Sequence, residues 1–394
     1  MKSTLSICLL VLVLFSFSAC IVPAPHNDTT STVETTTAEK PSDTTSAIEA
    51  IITPLPEGYP LWEEILSDSN TFLSMGGSIV DTSKREYTYE EMVSDLEILA
   101  QRYPAYFSYH AIGISVAGRT IYTTVLGNKN APNQILVSAG IHGREYLTPI
   151  LVMKQMELYL TYYHFGDYNG TPYSEIFENY CFYVVPMSNP DGVMLSQKGI
   201  DSVKDLALRA TVEEIYRADF AAGRTAYTDL DEYLKYWKAN LRGVDLNRNY
   251  DAQWDTYLGT ERSSATNYKG PTVASEPETQ ALVGLVNSLS NLRAVLCIHS
   301  QGEVLYWNCG QVGTLATQTK ELVDVLAERT DYYADGKLVH DASLSDWCAL
   351  EKDLIAITVE VGLGICPLPI DQFSKIWNQN FDLFPLTASF FEGQ

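Results

Sequence analysis

Hydrophobic and polar positions alternate in two different ways along the chain from about Tyr87 onwards. Helical spacing of apolar residues alternates with short, continuous apolar runs that are typical of buried strands. The predicted helices span residues 87–104, 149–163, 277–290, 319–330 and 371–384. The predicted strands span residues 119–127, 133–140, 180–188, 292–300 and 354–362. This alternation predicts an α/β fold with a mixed, largely parallel central sheet flanked by helices. A helical insert over residues 195–241 is expected to cover one side of the functional site.

The first 20 residues have the pattern of an export signal. Lys2 precedes an apolar run that is too short to span a bilayer as a helix. The run ends in small residues before Cys20 and resembles a bacterial lipoprotein signal, in which this cysteine carries the lipid. Because Phe17 replaces the usual Leu, an ordinary secretory signal stays an alternative. We therefore expect an extracellular protein, anchored to the bacterial membrane through Cys20.

The next two segments lead to the folded domain. Residues 21–54 are rich in Thr, Ser, Pro and Glu, a composition that cannot bury enough apolar surface to fold and predicts a disordered tether. Residues 55–86 are predicted to be a short N-terminal extension, and residues 87–394 the catalytic domain.

Charge and cysteine content exclude other classes of protein. The formal net charge is −23, and no cluster of Lys and Arg is present that could bind nucleic acid. Beyond Cys20 the cysteines are odd in number and lack CxxC spacing, which argues against a cysteine zinc site or a dense disulfide framework. A single disulfide bridge among these cysteines is left as an alternative.

Residues able to bind a metal follow three of the predicted strands. His142 and Glu145 come after the strand at 133–140, His299 ends the strand at 292–300, and Glu360 lies in the last strand. Two His and one Glu are a zinc ligand set that leaves a fourth position for water. A lone His at a strand end is more often a structural residue, but the chain has only six His, and the combination is much rarer by chance than its parts.

Several short motifs carry a specific resemblance. They are GIHGREY (140–146), NPDG (189–192), GVDLNRNY (243–250), SEPET (275–279), IHS (298–300) and TVEVG (358–362). Their sequence and order resemble the zinc carboxypeptidase family over about residues 87–393.

The resemblance implies a role for each matching residue. His142, Glu145 and His299 would bind one zinc ion per chain, and Asp245 would orient His142. Glu360 would be the general base that takes a proton from water and passes it to the leaving amine.

The substrate-binding residues follow from the same motifs. Asn247 and Arg248 would hold a substrate carboxylate, the Arg by a bidentate fork, and Arg144 would contact substrate. Ser345 lies at the specificity-pocket position, where a small polar residue does not suggest a preference for large apolar side chains.

Two positions depart from the family pattern. Lys238 follows Trp237 where the family has an oxyanion-stabilising Arg, and Arg242 lies four residues further on. Either cation could polarise the scissile carbonyl, with Arg242 slightly favoured for its fixed charge and fork. His340 lies near the family's mobile Tyr, and both a hydrogen-bonding role and simple solvent exposure stay open.

The resemblance is most specific to a branch that cleaves peptidoglycan stem peptides at the γ-D-glutamyl–diamino acid bond. Residues 55–86 are too short for the activation domain of the digestive enzymes, which fits this branch. One alternative is an extracellular carboxypeptidase that trims ordinary peptides. Another is a catalytically inactive binding module, which the complete ligand set and Glu360 argue against.

Overall fold

The computed structural model describes residues 55–338 and 340–393. The predicted signal peptide, the lipid-bearing Cys20 and the predicted tether lie outside the described residues. No helix within the described ranges has the length and apolar character needed to cross a membrane.

Helices and strands alternate through the described part of the chain. The helices are α1 (Trp62–Ser67), α2 (Asn70–Leu73), α3 (Tyr89–Arg102), α4 (Leu147–Thr161), α5 (Tyr173–Asn179), α6 (Pro190–Lys198), α7 (Leu206–Ala221), α8 (Leu230–Lys235), α9 (Pro277–Ser288), α10 (Gly313–Thr330), α11 (Leu344–Glu351), α12 (Phe373–Asn380) and α13 (Leu383–Glu392). The strands are β1 (Phe107–Ile114), β2 (Thr120–Leu126), β3 (Asn133–Ala139), β4 (Asp167–Tyr168), β5 (Thr171–Pro172), β6 (Tyr180–Val185), β7 (Leu292–His299), β8 (Val304–Tyr306), β9 (Tyr333–Asp335) and β10 (Ile355–Glu360).

Eight of the strands form one mixed sheet, in the order β1-β2-β6-β3-β7-β10-β8-β9. The four central strands, β6, β3, β7 and β10, are parallel to one another. Antiparallel pairs join β1 to β2, β2 to β6 and β10 to β8. The predicted fold class, a mixed and largely parallel sheet flanked by helices, is confirmed.

Both faces of the sheet are covered because the central strands are apolar on both sides. In β3, Ile135 and Val137 belong to the larger core and Leu136 to a second core on the opposite face, as the twofold repeat of a strand requires. The larger core includes residues of α3, α4, α5, α10, α12 and α13, and the second core includes residues of α9 and α11. The continuous apolar runs in the sequence follow from this two-sided burial.

The N-terminal extension is packed into the larger core. Trp62, Ile65, Phe72 and Val80 are buried there, and the carboxylate of Glu157 on α4 accepts hydrogen bonds from backbone N–H groups of residues 79 and 80. The boundary predicted at residue 87 therefore does not coincide with a break in packing.

The structure departs from the predicted pattern in local details. The predicted helix at 371–384 is divided into α12 and α13, with the buried carboxylate of Asp382 at the junction held by Arg329 at 2.7 Å. The NPDG motif begins α6, where the Asn189 side chain caps the helix by accepting from Gly192 N–H. Strand β1 was missed because it lies at the sheet edge and is exposed at several positions.

The helical insert forms a separate small core beside the sheet. Residues of α7 and α8 pack around Trp237. Within the described residues, Lys238 is the part of this insert that reaches the cavity described below. The insert therefore contributes one side chain to the site rather than a covering layer.

Candidate metal centre and active site

The site lies where three neighbouring parallel strands end. In the sheet register Ala139 of β3 is opposite Ile298 of β7, and His299 is opposite Glu360 of β10. The chain leaving β3 reaches His142 within three residues. Because the carboxyl ends of parallel strands meet at one edge of the sheet, these side chains come together there.

The two His and Glu145 converge on one point. His142 Nδ1 lies 2.8 Å from Glu145 Oε1, and His299 Nδ1 lies 3.1 Å from Glu145 Oε2. The two Nδ1 atoms are 3.1 Å apart. All three residues are buried, and among the described residues they are the one group of His, Cys, Asp and Glu placed to hold a metal ion.

The donor set fits a zinc ion. Zinc ligands lie about 2.0–2.1 Å from the metal in a tetrahedral arrangement, so neighbouring ligand atoms are about 3.3 Å apart. The observed separations of 2.8–3.1 Å are close to that spacing. Imidazole nitrogens and a carboxylate are also the ligand types that zinc prefers.

Asp245 orients His142 from the side away from this point. Its Oδ1 lies 3.2 Å from His142 Nε2, and its Oδ2 lies 3.2 Å from Lys238 Nζ and accepts from Asn267 N–H at 3.1 Å. Burial would raise the pKa of Asp245, but the charge of Lys238 and the contact with His142 hold it well below its usual range. The negative charge of Asp245 beside Nε2 favours the tautomer of His142 that carries its proton on Nε2, which leaves the Nδ1 lone pair free to bind a metal at the point of convergence.

Glu145 is held as a carboxylate despite its burial. Burial alone would raise its pKa, but the contacts with His142 and His299 lower it well below the ordinary value. Ser300 N–H also donates to Oε2 at 3.2 Å. For His299, contact with Glu145 outweighs burial and raises its pKa, whereas burial lowers the pKa of His142. The ionised Glu145 carboxylate therefore gives the cluster negative charge, which can offset the positive charge of a divalent cation.

Glu360 lines the same cavity, next to His299 but outside the converging set. Burial raises its pKa to about 7, partly opposed by the charge of His299. A carboxylate with a pKa near neutrality can accept a proton and release it again at neutral pH.

The cavity has a volume of about 460 Å³ and a largely polar wall. Besides the residues above, the wall includes Arg144, Lys238, Asn247, Arg248, Ser300, Gln301, Tyr306, Trp307, Asn308, Cys309, Lys337, Asp341, Ser343, Ser345, Asp346, Thr358, Ile365 and Cys366. A cavity of this size can enclose a small ligand or the end of a peptide.

Asn247 and Arg248 present amide and guanidinium groups to this cavity. Asn247 Oδ1 accepts from Leu344 N–H at 3.1 Å, so its Nδ2 is directed towards His299 Nε2, at 3.5 Å. Arg248 Nε donates to the Tyr257 hydroxyl at 2.9 Å, and Arg248 Nη1 donates to the Asn247 carbonyl at 2.7 Å. The guanidinium is fixed in position, as the binding of a substrate carboxylate requires.

The structure places the two candidate oxyanion cations differently. Lys238 lines the cavity and is buried beside Asp245. Arg242 is not among the lining residues; its side chain is 51% exposed and lies 3.4 Å from Glu276. Gly243, next to Arg242, has a positive φ of 71°, a backbone conformation that favours glycine.

Arg144 and His340, the remaining predicted substrate contacts, are placed differently. Arg144 lines the cavity. His340 is not among the lining residues, and its Nε2 lies 3.2 Å from the side-chain nitrogen of Gln253. Its predicted role in substrate binding is not supported by this position.

Tyr306, Asp341 and Lys337 are among the polar residues of the cavity that the sequence did not predict. Tyr306 is paired with Thr358 in the sheet and lines the cavity near Glu360. Asp341 and Lys337 lie on the loop before α11 and also line the wall. No periodic signal in the sequence marks a tyrosine at the end of a three-residue strand or charged residues in a loop. Asp341 does, however, directly follow His340, which the sequence had already indicated as a candidate.

The cysteines are buried thiols in the structure. All five described cysteines are free: Cys181, Cys297, Cys309, Cys348 and Cys366. Burial raises the pKa of Cys366 to about 12, so this cavity residue stays a thiol at neutral pH.

Comparison with known proteins places this site in a family. The family model described as zinc carboxypeptidase matches residues 92–383. A γ-D-glutamyl-L-diamino acid endopeptidase 1 from Lysinibacillus sphaericus is 28% identical over 306 residues, which cover 76% of this chain and 72% of that protein. Human mast cell carboxypeptidase A is 25% identical over 245 residues, covering 62% of this chain and 52% of that protein.

Solved structures show the same fold. The carboxypeptidase A of Helicoverpa armigera aligns with a TM-score of 0.59 at 18% identity, covering 83% of this chain and 80% of that one. Thrombin activatable fibrinolysis inhibitor aligns with a TM-score of 0.60 at 19% identity and the same coverage.

Proposed function

The chain belongs to the zinc carboxypeptidase family of peptidases, and we propose that it hydrolyses the γ-D-glutamyl–diamino acid bond of peptidoglycan stem peptides. The observation that carries the peptidase reaction is the convergence of His142, Glu145 and His299 beside the separate carboxylate of Glu360. The bond is proposed from the similarity, over three quarters of this chain, to an endopeptidase named for that linkage.

We propose that His142, Glu145 and His299 hold one zinc ion per chain. When bound, zinc supplies Lewis acidity towards a water molecule and the scissile carbonyl. Asp245 keeps His142 in the tautomer that presents Nδ1 as a ligand. The Ser300 N–H bond to Glu145 limits rotation of its carboxylate.

Glu360 handles the proton. Its carboxylate accepts a proton from the attacking water, whose oxygen forms the new bond to the carbonyl carbon. The same carboxyl group then gives that proton to the nitrogen as the C–N bond breaks, so the amine leaves neutral and Glu360 is ionised again. The ammonium of Lys238 stabilises the negative charge that develops on the carbonyl oxygen.

Asn247 and Arg248 fix the leaving residue by its carboxylate. Arg248 is already held by the Tyr257 hydroxyl and the Asn247 carbonyl, so little reordering is needed when the substrate binds. This positioning favours cleavage next to a residue with a free carboxylate.

A panel of defined peptides tests the proposed bond. Purified protein is incubated with stem peptides containing the γ-D-glutamyl–diamino acid linkage and with ordinary α-linked peptides. Release of the diamino acid from the first set at a much higher kcat/KM supports the proposal. Equal or exclusive cleavage of ordinary peptides supports the second candidate, an extracellular carboxypeptidase, which the similarity to mast cell carboxypeptidase A favours.

We also propose that the protein is exported and tethered by lipid on Cys20. The support is the sequence around Cys20 and the composition of residues 21–54. A lipid-anchored enzyme would face the cell wall, where stem peptides are found. The substitution Cys20→Ser is expected to release the protein from the membrane fraction or to block its processing, and unchanged fractionation would contradict the lipid anchor.

A further inference from the structure

Arg248 is paired with a carboxylate of its own chain inside the cavity. Arg248 Nη2 lies 3.1 Å from Asp341 Oδ2. The Arg248 side chain is 13% exposed, whereas that of Asp341 is 40% exposed, so the carboxylate is open to the cavity while the guanidinium is enclosed. The group proposed to bind a substrate carboxylate therefore already has an anion beside it.

The protein holds Asp341 in this place from two sides. Asp341 N–H donates to Asp346 Oδ2 at 2.8 Å, and Asp346 also caps the start of α11. On the other side, Tyr250 N–H donates to the Ala342 carbonyl at 3.1 Å. The backbone around Asp341 is thus hydrogen-bonded both to α11 and to the segment that carries Arg248. The Arg248–Asp341 ion pair is therefore a fixed part of the cavity wall.

Arg248 retains capacity for a second anion. A guanidinium has five N–H groups, and the contacts with Tyr257, the Asn247 carbonyl and Asp341 use one group on each of its three nitrogens. One N–H on each terminal nitrogen is left, which is enough for a substrate carboxylate. That carboxylate would then lie close to Asp341, and two like charges repel at such a distance.

A cation on the substrate resolves this conflict. We propose that Asp341 binds the side-chain ammonium of the leaving residue while Arg248 and Asn247 hold its carboxylate, so that the cavity selects diamino acids by charge. The inference rests on the proposed function in assigning the leaving residue, and it identifies the group that recognises the second amine. If the side chain of the leaving residue were uncharged, the repulsion between the substrate carboxylate and Asp341 would remain.

The experiment compares lysine with norleucine as leaving residue, because the two side chains share a four-carbon chain and differ in the ammonium. Each is placed behind γ-D-glutamate and, in a second series, behind an ordinary α-linked residue. Rates are measured for the zinc-loaded wild type, for Asp341→Asn and for Asp251→Asn. Asp251 is exposed and is not among the cavity residues, so its variant controls for loss of a nearby negative charge.

The wild type and Asp251→Asn are expected to favour lysine in kcat/KM by on the order of 10- to 100-fold, the range of a charge-assisted hydrogen bond. In Asp341→Asn the preference should fall to within about threefold. An equal loss for both leaving residues in Asp341→Asn would overturn the proposal, because it would mean that Asp341 only orients Arg248. A wild type without a preference for lysine would overturn it as well.

If the γ-D-glutamyl bond is not the bond that the protein cleaves, the experiment gives a different result. Cleavage of the α-linked series alone would refute the γ-D-glutamyl assignment, while the ratio of lysine to norleucine in that series would still test Asp341. If neither series is cleaved, calorimetric titration with free L-lysine and free L-norleucine measures the same selectivity. Tighter binding of lysine that is lost in Asp341→Asn supports the proposal, and equal binding of both amino acids to the wild type contradicts it.

Discussion

The cavity has two halves that are built differently. One half consists of residues at the ends of adjacent parallel strands, with His142 and Glu145 after β3, His299 in β7 and Glu360 in β10. The other half consists of residues on loops between 238 and 248 and between 337 and 346. The first half carries the candidate metal ligands and base, and the second carries the groups proposed to contact substrate.

The difference lies in what fixes each side chain. Sheet register places His299 directly opposite Glu360, so neither backbone segment can shift without breaking the ladder. The loop half is fixed by side-chain contacts instead of a strand ladder, such as those of Lys238 with Asp245 and of Arg248 with Tyr257. We therefore expect strand-end substitutions to abolish a reaction step and loop substitutions to alter affinity and selectivity.

The largest effect is expected from Glu360→Gln in the strand half. The amide keeps the size of the side chain but cannot accept the proton, so kcat should fall by about 10²- to 10⁴-fold. Steady-state kinetics measures the loss, and the affinity for a non-hydrolysed substrate analogue should stay near the wild-type value. A variant that retains most of its turnover would contradict the role of Glu360 as base.

The second prediction separates the two candidate cations of the loop half. Lys238→Met removes the charge inside the cavity and should lower kcat by about 10²- to 10³-fold, the usual effect of losing an oxyanion donor. The matched variant Arg242→Met should stay within about twofold of the wild type, because Arg242 is half exposed and pairs with Glu276. The reverse order in measured kcat would restore Arg242 as the oxyanion group.

Arg248→Ala should act on affinity rather than on turnover. Loss of the guanidinium removes charge-assisted bonds to the substrate carboxylate, so KM should rise roughly 10- to 100-fold for substrates with a free carboxylate. Amidated substrates should be nearly indifferent to the substitution. Steady-state kinetics on matched pairs of free and amidated peptides measures the change in KM. A fall in kcat alone would mean that Arg248 acts in the reaction step, as the residues of the strand half do, and not in binding.

The pH profile should show an acid limb due to Glu360. The base must be ionised to accept a proton, so kcat/KM should rise with pH and fall about tenfold per unit below the pKa of this group. That pKa is raised to about 7 by burial, and a bound dication would lower it, so the limb should lie below pH 7. The residual activity of Glu360→Gln should lack the limb, and a limb that persists there belongs to another group.

The smallest effect is expected from His340→Ala. His340 contacts Gln253 and is not among the residues that line the cavity, so kcat/KM should stay within about twofold of the wild type. A tenfold loss with unchanged thermal stability would show that this loop moves to the substrate during the reaction.

The strand half could be predicted from sequence for a physical reason. Buried parallel strands are continuous apolar runs, and a polar residue directly after such a run must lie at the carboxyl edge of the sheet. His142, His299 and Glu360 all satisfy that condition. The same logic gave the fold class, because apolar runs alternated with helical spacing.

The loop half could not be predicted to the same depth because its path depends on single hydrogen bonds and turns. Arg242 is half exposed and contacts Glu276, and the link from Asp341 N–H to Asp346 places a carboxylate beside Arg248. Neither contact leaves a periodic pattern. Motif order suggested Asn247 and Arg248 correctly as cavity residues, but the preference for Arg242 rested on its fixed charge and fork, and the choice between two roles for His340 was left open, because the sequence does not show where these loops run.

The most direct test of the strand half is the zinc content of three proteins after equilibrium dialysis against trace zinc. We expect one zinc per chain in the wild type and in Glu360→Gln, because Glu360 is not one of the proposed zinc ligands. We expect close to none in Glu145→Ala, because Glu145 contacts both His142 and His299. Circular dichroism of the variants shows whether the fold is retained. Full zinc in folded Glu145→Ala, or loss of zinc from Glu360→Gln, would contradict the assignment of ligands and base.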